Sequence, residues 1–599
     1  MLIKSLLQGV SGTPSPCGKH RAGRACLALL LSLVCALSCA PSALASLPEE
    51  PCRSIESYVH EHEDALAGLA VSVFDAESVE YEHYFGYADR EAGLAVTEDT
   101  VFDWGSITKL TVWISVMQLW EQGKLDLEAD VRTYLPDGFL TRLRYDEPIT
   151  MIHLMNHQGG FEDALMGLDV PDERDILPLE AYLRRYEPAQ VYAPGTVTSY
   201  SNWSTTLAGF IVERVSGEPF CQYVQNHLFQ PIGIEHAALN SDLSDDLWVK
   251  AQRMLLQGYR TDGSRKRASF FYGSPYPCGM CASPLRELRR FAQELLNPDT
   301  VWFQSPDTYY EMLSPTDFYG QSGLARNSHG FWIQWEYATP LTGHGGNTAA
   351  CSSNLLLDLE NGRGMVVMTN QCSEYTFNYG LVEVVFGKAD KAAWEQPDYQ
   401  GWILSARTAY SGITKVYRIV STRYLRPAGD LASISFAARS SAGGVDKISM
   451  CYGDYLIKTA GQVLPMHAML LWGAIGLVFA AAALLWKAVA CLVRRRKTCP
   501  VDGLVVAVAV LSLAAGGMLL AYATSLLEFS LWRPGTYRLW SVGMLVFLCA
   551  LSALCVWGVS SFRRLETKGR RVLRAAALIA AAGVAANIAY LNLFMFWTA

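Results

Sequence analysis

At 599 residues the chain is longer than one ordinary domain, and 51% of it is apolar, enough to build a large core. A formal net charge of -8 argues against a nucleic-acid partner, which calls for a basic face. The apolar residues gather at the two ends of the chain, and that distribution says more than the average.

The N-terminal end carries Lys4, Lys19, Arg21 and Arg24, then an apolar run from Leu27 to Leu37 closed by Ala43-Leu44-Ala45. This order of charge, apolar run and small residues predicts a secretory signal peptide over residues 1–45. Export brings an oxidising environment in which thiols can pair. Seven cysteines lie between Ala45 and the next long apolar run: Cys52, Cys221, Cys278, Cys281, Cys351, Cys372 and Cys451.

Further along, residues 68–74 and 79–87 read as two strands. Asp103-Trp104-Gly105 leads into a helix from Ser106 to Gln122, whose Leu110, Trp113, Ile114, Met117 and Leu119 suit burial and which Gly123 stops. If Ser106 opens that helix, Lys109 sits one turn on along the same face, within reach of its hydroxyl. A serine hydroxyl needs a base beside it to act as a nucleophile. The helix start also aims free N–H groups at any oxyanion formed there. Ser106 begins the one Ser-x-x-Lys in the sequence.

Helices follow near 203–216 and 284–296, and strands return at 330–336, 350–358 and 364–370. This pattern predicts an antiparallel sheet with edges from the two termini and a helical subdomain beside it. Asn361-Gly362 is a type I′ hairpin signal, and folding about it puts Cys351 opposite Cys372 as a disulfide candidate. Cys278-Gly279-Met280-Cys281 lacks the second cysteine pair of a zinc set, so two loop thiols or a local bridge are the simpler reading. Over residues 389–464, Trp402-Ile403-Leu404 and Ile434-Ser435-Phe436 suggest strands and Gly443-Gly444 a turn, within a small β module or a spacer.

From Met466 onward four apolar segments, about 466–490, 501–525, 537–560 and 572–597, each approach the roughly 20 residues that cross a bilayer as a helix. Arg494-Arg495-Arg496-Lys497 follows the first, and Arg563, Arg564, Lys568, Arg570 and Arg571 follow the third. The positive-inside rule puts both connections in the cytoplasm, so the region before Met466 belongs outside, as a signal peptide also requires. Asn587 and Asn592 in the last span suit helix packing.

Two short motifs come after Ser106-Ile107-Thr108-Lys109: Tyr200-Ser201-Asn202 and His344-Gly345-Gly346. Each is cheap alone, since Tyr590-Leu591-Asn592 and His157-Gln158-Gly159 repeat their patterns elsewhere. Their settings are denser. Phe102-Asp103-Trp104-Gly105-Ser106-Ile107-Thr108-Lys109 is followed by Met117-Gln118-Leu119-Trp120-Glu121-Gln122-Gly123-Lys124-Leu125-Asp126-Leu127. Then come Pro194-Gly195-Thr196, Val215-Ser216-Gly217-Glu218-Pro219-Phe220 and Pro231-Ile232-Gly233-Ile234.

On these stretches the region from Gly68 to about Gly387 resembles the serine β-lactamase-related hydrolases, a group of class C β-lactamases, D,D-carboxypeptidases, penicillin-binding proteins and esterases. The resemblance implies an α/β sandwich domain over 46–388, its cleft lying between an antiparallel sheet and a helical lobe, followed here by an all-α four-helix transmembrane region. It makes Ser106 the acylated nucleophile, Lys109 its base and Tyr200 the phenolic partner that passes a proton to the leaving group. Asn202 would hold Lys109 and the substrate amide. His344-Gly345-Gly346 would line the substrate strand, its glycine admitting substrate backbone. The backbone N–H groups of Ser106 and Asn347 would bind the oxyanion.

Two departures stand out. His344 replaces the family's lysine, and a histidine is mostly neutral at pH 7, a weaker anchor for a substrate carboxylate. Asn156-His157-Gln158-Gly159-Gly160 replaces a Thr-His-Thr-Ser-Gly-like turn, and His157 reads as a structural histidine. The expectation is a multi-pass membrane protein with an extracytoplasmic serine hydrolase acting on a small-molecule or peptide substrate, such as a cell-wall peptide, D-amino-acid peptide or ester. Peptidoglycan is a candidate partner, and no metal or organic cofactor is implied. A true β-lactamase and a catalytically lapsed ligand sensor are the alternatives.

Overall fold

The computed structural model describes residues 51–164, 167–390, 399, 401–407, 423–425, 437–494, 502–527, 534–565 and 567–595. The expected signal peptide and Ile434-Ser435-Phe436 lie outside them. The chain divides into two compact units, 1–54 and 55–599. Of the first, only 51–54 is described, as the start of helix α1, Pro51–Glu61.

The centre of the second unit is a nine-stranded antiparallel sheet. The strands are β1 Gly68–Asp75, β2 Val79–Asp89, β3 Leu94–Ala95, β6 Asp317–Phe318, β7 Ala325–Ser328, β8 Phe331–Gln334, β9 Leu341–Asn347, β10 Ser352–Asp358 and β11 Arg363–Thr369. A separate pair, β4 Val101–Asp103 and β5 Ala282–Pro284, frames the approach to Ser106. The sheet order is β3-β2-β1-β11-β10-β9-β8-β7-β6. The terminal strands therefore meet in the middle rather than forming the two edges. Seven of the eight residues of β1 are buried, so it needs a partner on each side, whereas β2 has a mixed exposed pattern that suits a place nearer the edge.

Both faces of the central strands are covered. Phe74, Leu355, Leu357, Val366 and Met368 point into a core shared with the helical lobe. Leu69, Val71, Leu356, Met365 and Val367 point to the other side, against Ile55 and Val59 of α1 and Phe377 and Leu381 of α5, Thr376–Phe386. That alternation is the period-2 rule of a pleated strand, with both sets apolar because neither face meets water. The helical lobe is organised by α2 (Lys109–Glu121), α3 (Asn202–Ser216) and α4 (Leu285–Glu294). Every residue of α2 from Lys109 to Leu119 is buried, so the helix runs through the core instead of lying on it.

The β10–β11 register corrects the disulfide expectation. Asp358 pairs with Arg363, which leaves a four-residue loop instead of a two-residue turn at Asn361-Gly362. The Asp358 carboxylate accepts from the Asn361 backbone N–H at 3.1 Å and its side-chain amide at 2.8 Å, pulling the centre of the turn back by one residue. Since Ser352 pairs with Thr369, the ladder sets Cys351 opposite Asn370, two residues short of Cys372. Both thiols are free.

A second, five-stranded sheet has the order β13-β12-β16-β15-β14. Its strands are β12 Gly401–Ser405, β13 Arg423–Leu425, β14 Ala437–Ala442, β15 Val445–Met450 and β16 Gly453–Lys458. Gly443 and Gly444 close the β14–β15 hairpin with φ of +56° and +74°, conformations glycine adopts without strain. Four long helices come next: α6 Ala460–Arg494, α7 Gly503–Leu527, α8 Pro534–Ser560 and α9 Lys568–Tyr590. Each is long and apolar enough to cross a membrane, and the chain is a multi-pass membrane protein with a large extramembrane region. α6 and α9 pack closely through small residues: a Cβ on Gly476 would lie 2.5 Å from the Ala580 carbonyl. Asn587 donates to the Met469 carbonyl at 2.7 Å, a packing contact between the same two helices.

Candidate active site

Gly105–Thr108 forms a 3-10 turn ahead of α2, so the helix proper starts at Lys109, three residues later than expected. The tighter winding serves the site, because residues i and i+3 eclipse one another in a 3-10 turn. Lys109 Nζ lies 3.0 Å from Ser106 Oγ. The turn is gripped from both sides. Trp104 N–H donates to the Cys281 carbonyl at 2.8 Å, and the Cys281 N–H donates to Thr108 Oγ1 at 3.1 Å. On the opposite side β9 passes so close that a Cβ on Gly346 would lie 1.9 Å from the Trp104 carbonyl and 3.1 Å from Ser106 N. Gly105, at φ +54°, faces Asn347 N almost as closely. Gly346 thus admits the nucleophile's own turn, where the sequence suggests room for substrate backbone. The same contact brings Asn347 beside Ser106.

Lys109 is buried, and its amine has two further partners: Asn202 Oδ1 at 2.8 Å and the Cys278 carbonyl at 2.6 Å. Asn202 opens α3, whose N-cap is Ser201, its hydroxyl accepting from Ser204 N–H at 3.1 Å. Tyr200 immediately precedes this cap, with the Lys109 amine 5.0 Å from its ring centroid. Ser106, Lys109, Tyr200 and Asn202, spread over almost a hundred residues, therefore share one neighbourhood.

Three further groups bear on the site without a sequence signature of that role. The Cys278 carbonyl belongs to the Cys-Gly-Met-Cys loop, where both thiols are free and buried; a backbone acceptor leaves no side-chain signature. His157 stacks on Tyr200 with ring centroids 4.3 Å apart, and its Nδ1 accepts from Ser201 N–H at 3.1 Å. Burial and the nearby Lys109 charge push its pKa well below the ordinary histidine value, so it is a neutral wall behind the phenol. The third is Arg407, just past β12. Its guanidinium lies 4.9 Å from the Tyr200 ring centroid and 2.6 Å from the Asp163 carboxylate. Asp163 in turn accepts from Asn202 N–H at 3.2 Å. The second sheet thus reaches the phenol.

His344 is buried and satisfied on both ring nitrogens. Nδ1 donates to the Gly345 carbonyl at 2.6 Å, and Nε2 accepts from Trp332 Nε1 at 3.2 Å. Burial and the Lys109 charge lower its pKa to about 3. Its ring is held by Trp332 and the Gly345 carbonyl, with its centroid 6.2 Å from that of Tyr200, as a neutral part of the wall.

A cavity of about 160 Å³ opens over Ser106, lined by Asn202, Asn347, Cys278, Gly279 and Asp169 among others. Lys109, Tyr200, His344, Gly345 and Gly346 are not among its lining residues.

A sequence profile of the Beta-lactamase family matches residues 55–378, more than half of the chain. Curated relatives include the putative penicillin-binding protein PbpX of Bacillus subtilis, 26% identical over 44% of this chain and 62% of that protein. A beta-lactamase of Yersinia enterocolitica is 28% identical over 39% of this chain and 56% of that one. The esterase EstB of Burkholderia gladioli is 35% identical over 29% of this chain and 47% of its own. The similarity thus spans about half to three-fifths of the length of these relatives.

Proposed function

Because the chain belongs to the beta-lactamase family, we propose that it is a membrane-anchored serine hydrolase that cleaves esters, amides or peptides through an acyl-enzyme on Ser106. The observation that carries this reading is the Lys109 amine, held at once by Ser106 Oγ, Asn202 Oδ1 and the Cys278 carbonyl. A neutral amine has two N–H bonds and one lone pair. If Asn202 and Cys278 take the two N–H bonds, the lone pair faces the Ser106 hydroxyl and can accept its proton.

In the acylation step Ser106 Oγ attacks the substrate carbonyl carbon while its proton passes to Lys109. The carbonyl oxygen becomes an oxyanion beside the N–H groups of Ser106 and Asn347. The bond to the leaving oxygen or nitrogen then breaks, and the proton reaches that atom by way of Tyr200. Water attacks the resulting ester in the second half-reaction, releasing the acid and restoring the serine.

His344 supports esters, amides or peptides over β-lactams. A buried imidazole with its pKa near 3 offers no positive charge to the carboxylate of a bicyclic β-lactam. The basic connections after the first and third membrane helices support a catalytic domain outside the cytoplasm, where cell-wall peptides would be met.

The test is turnover by the full chain in detergent, using a panel of thioesters, amino-acid amides, short D- and L-peptides and nitrocefin. Hydrolysis of a thioester or amide that Ser106→Ala lowers by at least about 10³-fold is the expected result. Fast nitrocefin turnover with inert esters would instead identify a β-lactamase. Inactivity toward the whole panel, with no covalent adduct, would refute the proposal.

A further inference from the structure

The cavity over Ser106 has an acidic wall. Among its described lining residues there is no lysine, arginine or histidine, and there are two aspartates, Asp103 and Asp169. Asp103 is committed: Arg253 Nε and Nη2 donate to its two oxygens at 2.5 and 2.9 Å, and Thr348 Oγ1 donates at 2.7 Å. Asp169 differs. It has no hydrogen bond and no ion pair among the described residues, yet it shares the cavity with the nucleophile.

Its position is fixed from the side. Val170 and Tyr272 exchange both backbone hydrogen bonds, at 2.7 and 2.9 Å, which ties the residue after Asp169 to the segment between the lining residues Phe271 and Gly273. A partly buried carboxylate with no hydrogen-bond donor, and with only the Lys266 charge to offset it, gains from a cation that meets it in the cavity. Burial and the charge of Asp103 raise the Asp169 pKa to about 6, against an opposing pull from Lys266. Such a group stands ready to gain from a positive ligand. Beside Tyr200, His344 is neutral, Lys109 has three partners and Arg407 is paired with Asp163, so none of the three offers a free positive charge to an anion.

We propose that Asp169 forms an ammonium subsite, and that the preferred substrates are short acyl donors with a free amino group, such as amino-acid or dipeptide esters and amides with an unblocked amine. This rests on the hydrolase reading and adds its substrate class. Ion pairing to Asp169 would set the ammonium in the cavity while the scissile carbonyl meets Ser106 and Asn347. A carboxylate-bearing substrate would be repelled from the same wall.

The experiment compares full chain and Asp169→Asn in detergent on two isosteric thiobenzyl esters, alanine (cationic, both enantiomers) and 2-methylpropanoate (neutral). Wild type should favour the cationic ester at least tenfold in kcat/KM at pH 7. That preference should shrink toward pH 5 as Asp169 protonates, while the substrate ammonium stays charged. In Asp169→Asn the ratio should approach one and lose its pH dependence. Equal ratios in wild type and variant, or no preference in wild type, overturn the subsite. Binding of alaninamide against 2-methylpropanamide by Ser106→Ala, with and without Asp169→Asn, is a second readout free of turnover. Loss of all acylation with Asp169-dependent alaninamide binding would sink the hydrolase and leave the subsite standing. Acylation at Ser106 with no Asp169-dependent selectivity would do the reverse.

Discussion

The nine-stranded sheet buries apolar side chains on both faces, with β10 and β11 wholly inside. The five-stranded sheet is fastened by charge. Asp454 of β16 is fully buried and takes Arg326 Nη1 at 2.6 Å and Lys447 Nζ at 2.6 Å, while its Oδ2 accepts from Thr198 N–H at 2.8 Å. Arg326 also holds Asp317 and donates to Thr198 Oγ1. The five-stranded sheet's own apolar cluster is small, centred on Ile403, Ala437 and Ile448. One sheet is held by area and tolerates many apolar solutions; the other is held by a few groups that must all be present. The second also makes the more pointed contact with the site, since the segment it grips runs from Thr198 into Tyr200, and Arg407 lies over the phenol ring.

The comparison breaks first at the nucleophile that the large sheet positions. Ser106→Ala should remove acylation and lower turnover by about 10³-fold or more, read as steady-state rates against a cleavable thioester. Next is the ionic fastening. Asp454→Ala leaves Lys447 buried without its counter-charge and Arg326 with Asp317 alone, and should cost about 3–5 kcal/mol in denaturant or thermal unfolding. A loss no larger than that of a surface substitution would mean that the second sheet is loosely attached.

Acid sharpens the contrast within the large sheet. The folded-state pKa of His344, about 3, lies below its unfolded value near 6.5. Its contribution to stability is therefore complete above pH 6.5 and is lost as pH falls toward 3, on the order of a few kcal/mol in all. His344→Asn should flatten that acid limb in a pH series of unfolding midpoints. The smallest effect is expected at Arg407, over the Tyr200 ring. Arg407→Gln removes a cation–π contact from Tyr200 and the counter-charge of the buried Asp163 carboxylate, and should lower kcat a few-fold, about 1 kcal/mol, with a comparable loss of stability and little change in KM.

The same contrast explains what can be read in advance. Leu355-Leu356-Leu357 and Met365-Val366-Val367-Met368 announce themselves as buried strands, and the buried residues of α2 leave a pattern dense enough to place Ser106 and Lys109. Trp402-Ile403-Leu404 and Gly443-Gly444 mark a strand and a turn of the second sheet. Its attachment is hidden, because an aspartate at 454 and an arginine at 326 carry no periodic signal linking them. The hairpin register differs from expectation by two residues in the pairing sum, since the Asp358 side chain shifts the turn that Asn361-Gly362 advertises. The Cys278 carbonyl cannot be found by residue type. His157 reads as structural in the sequence, and the structure gives it a packing role directly against Tyr200.

The most direct test of the account is peptide mapping by mass spectrometry after the full chain, in detergent, is treated with a fluorophosphonate. The account predicts one adduct, on the peptide containing Ser106, absent in Ser106→Ala and formed far more slowly in Lys109→Ala. An adduct on another residue, or unchanged labelling in Ser106→Ala, would contradict it.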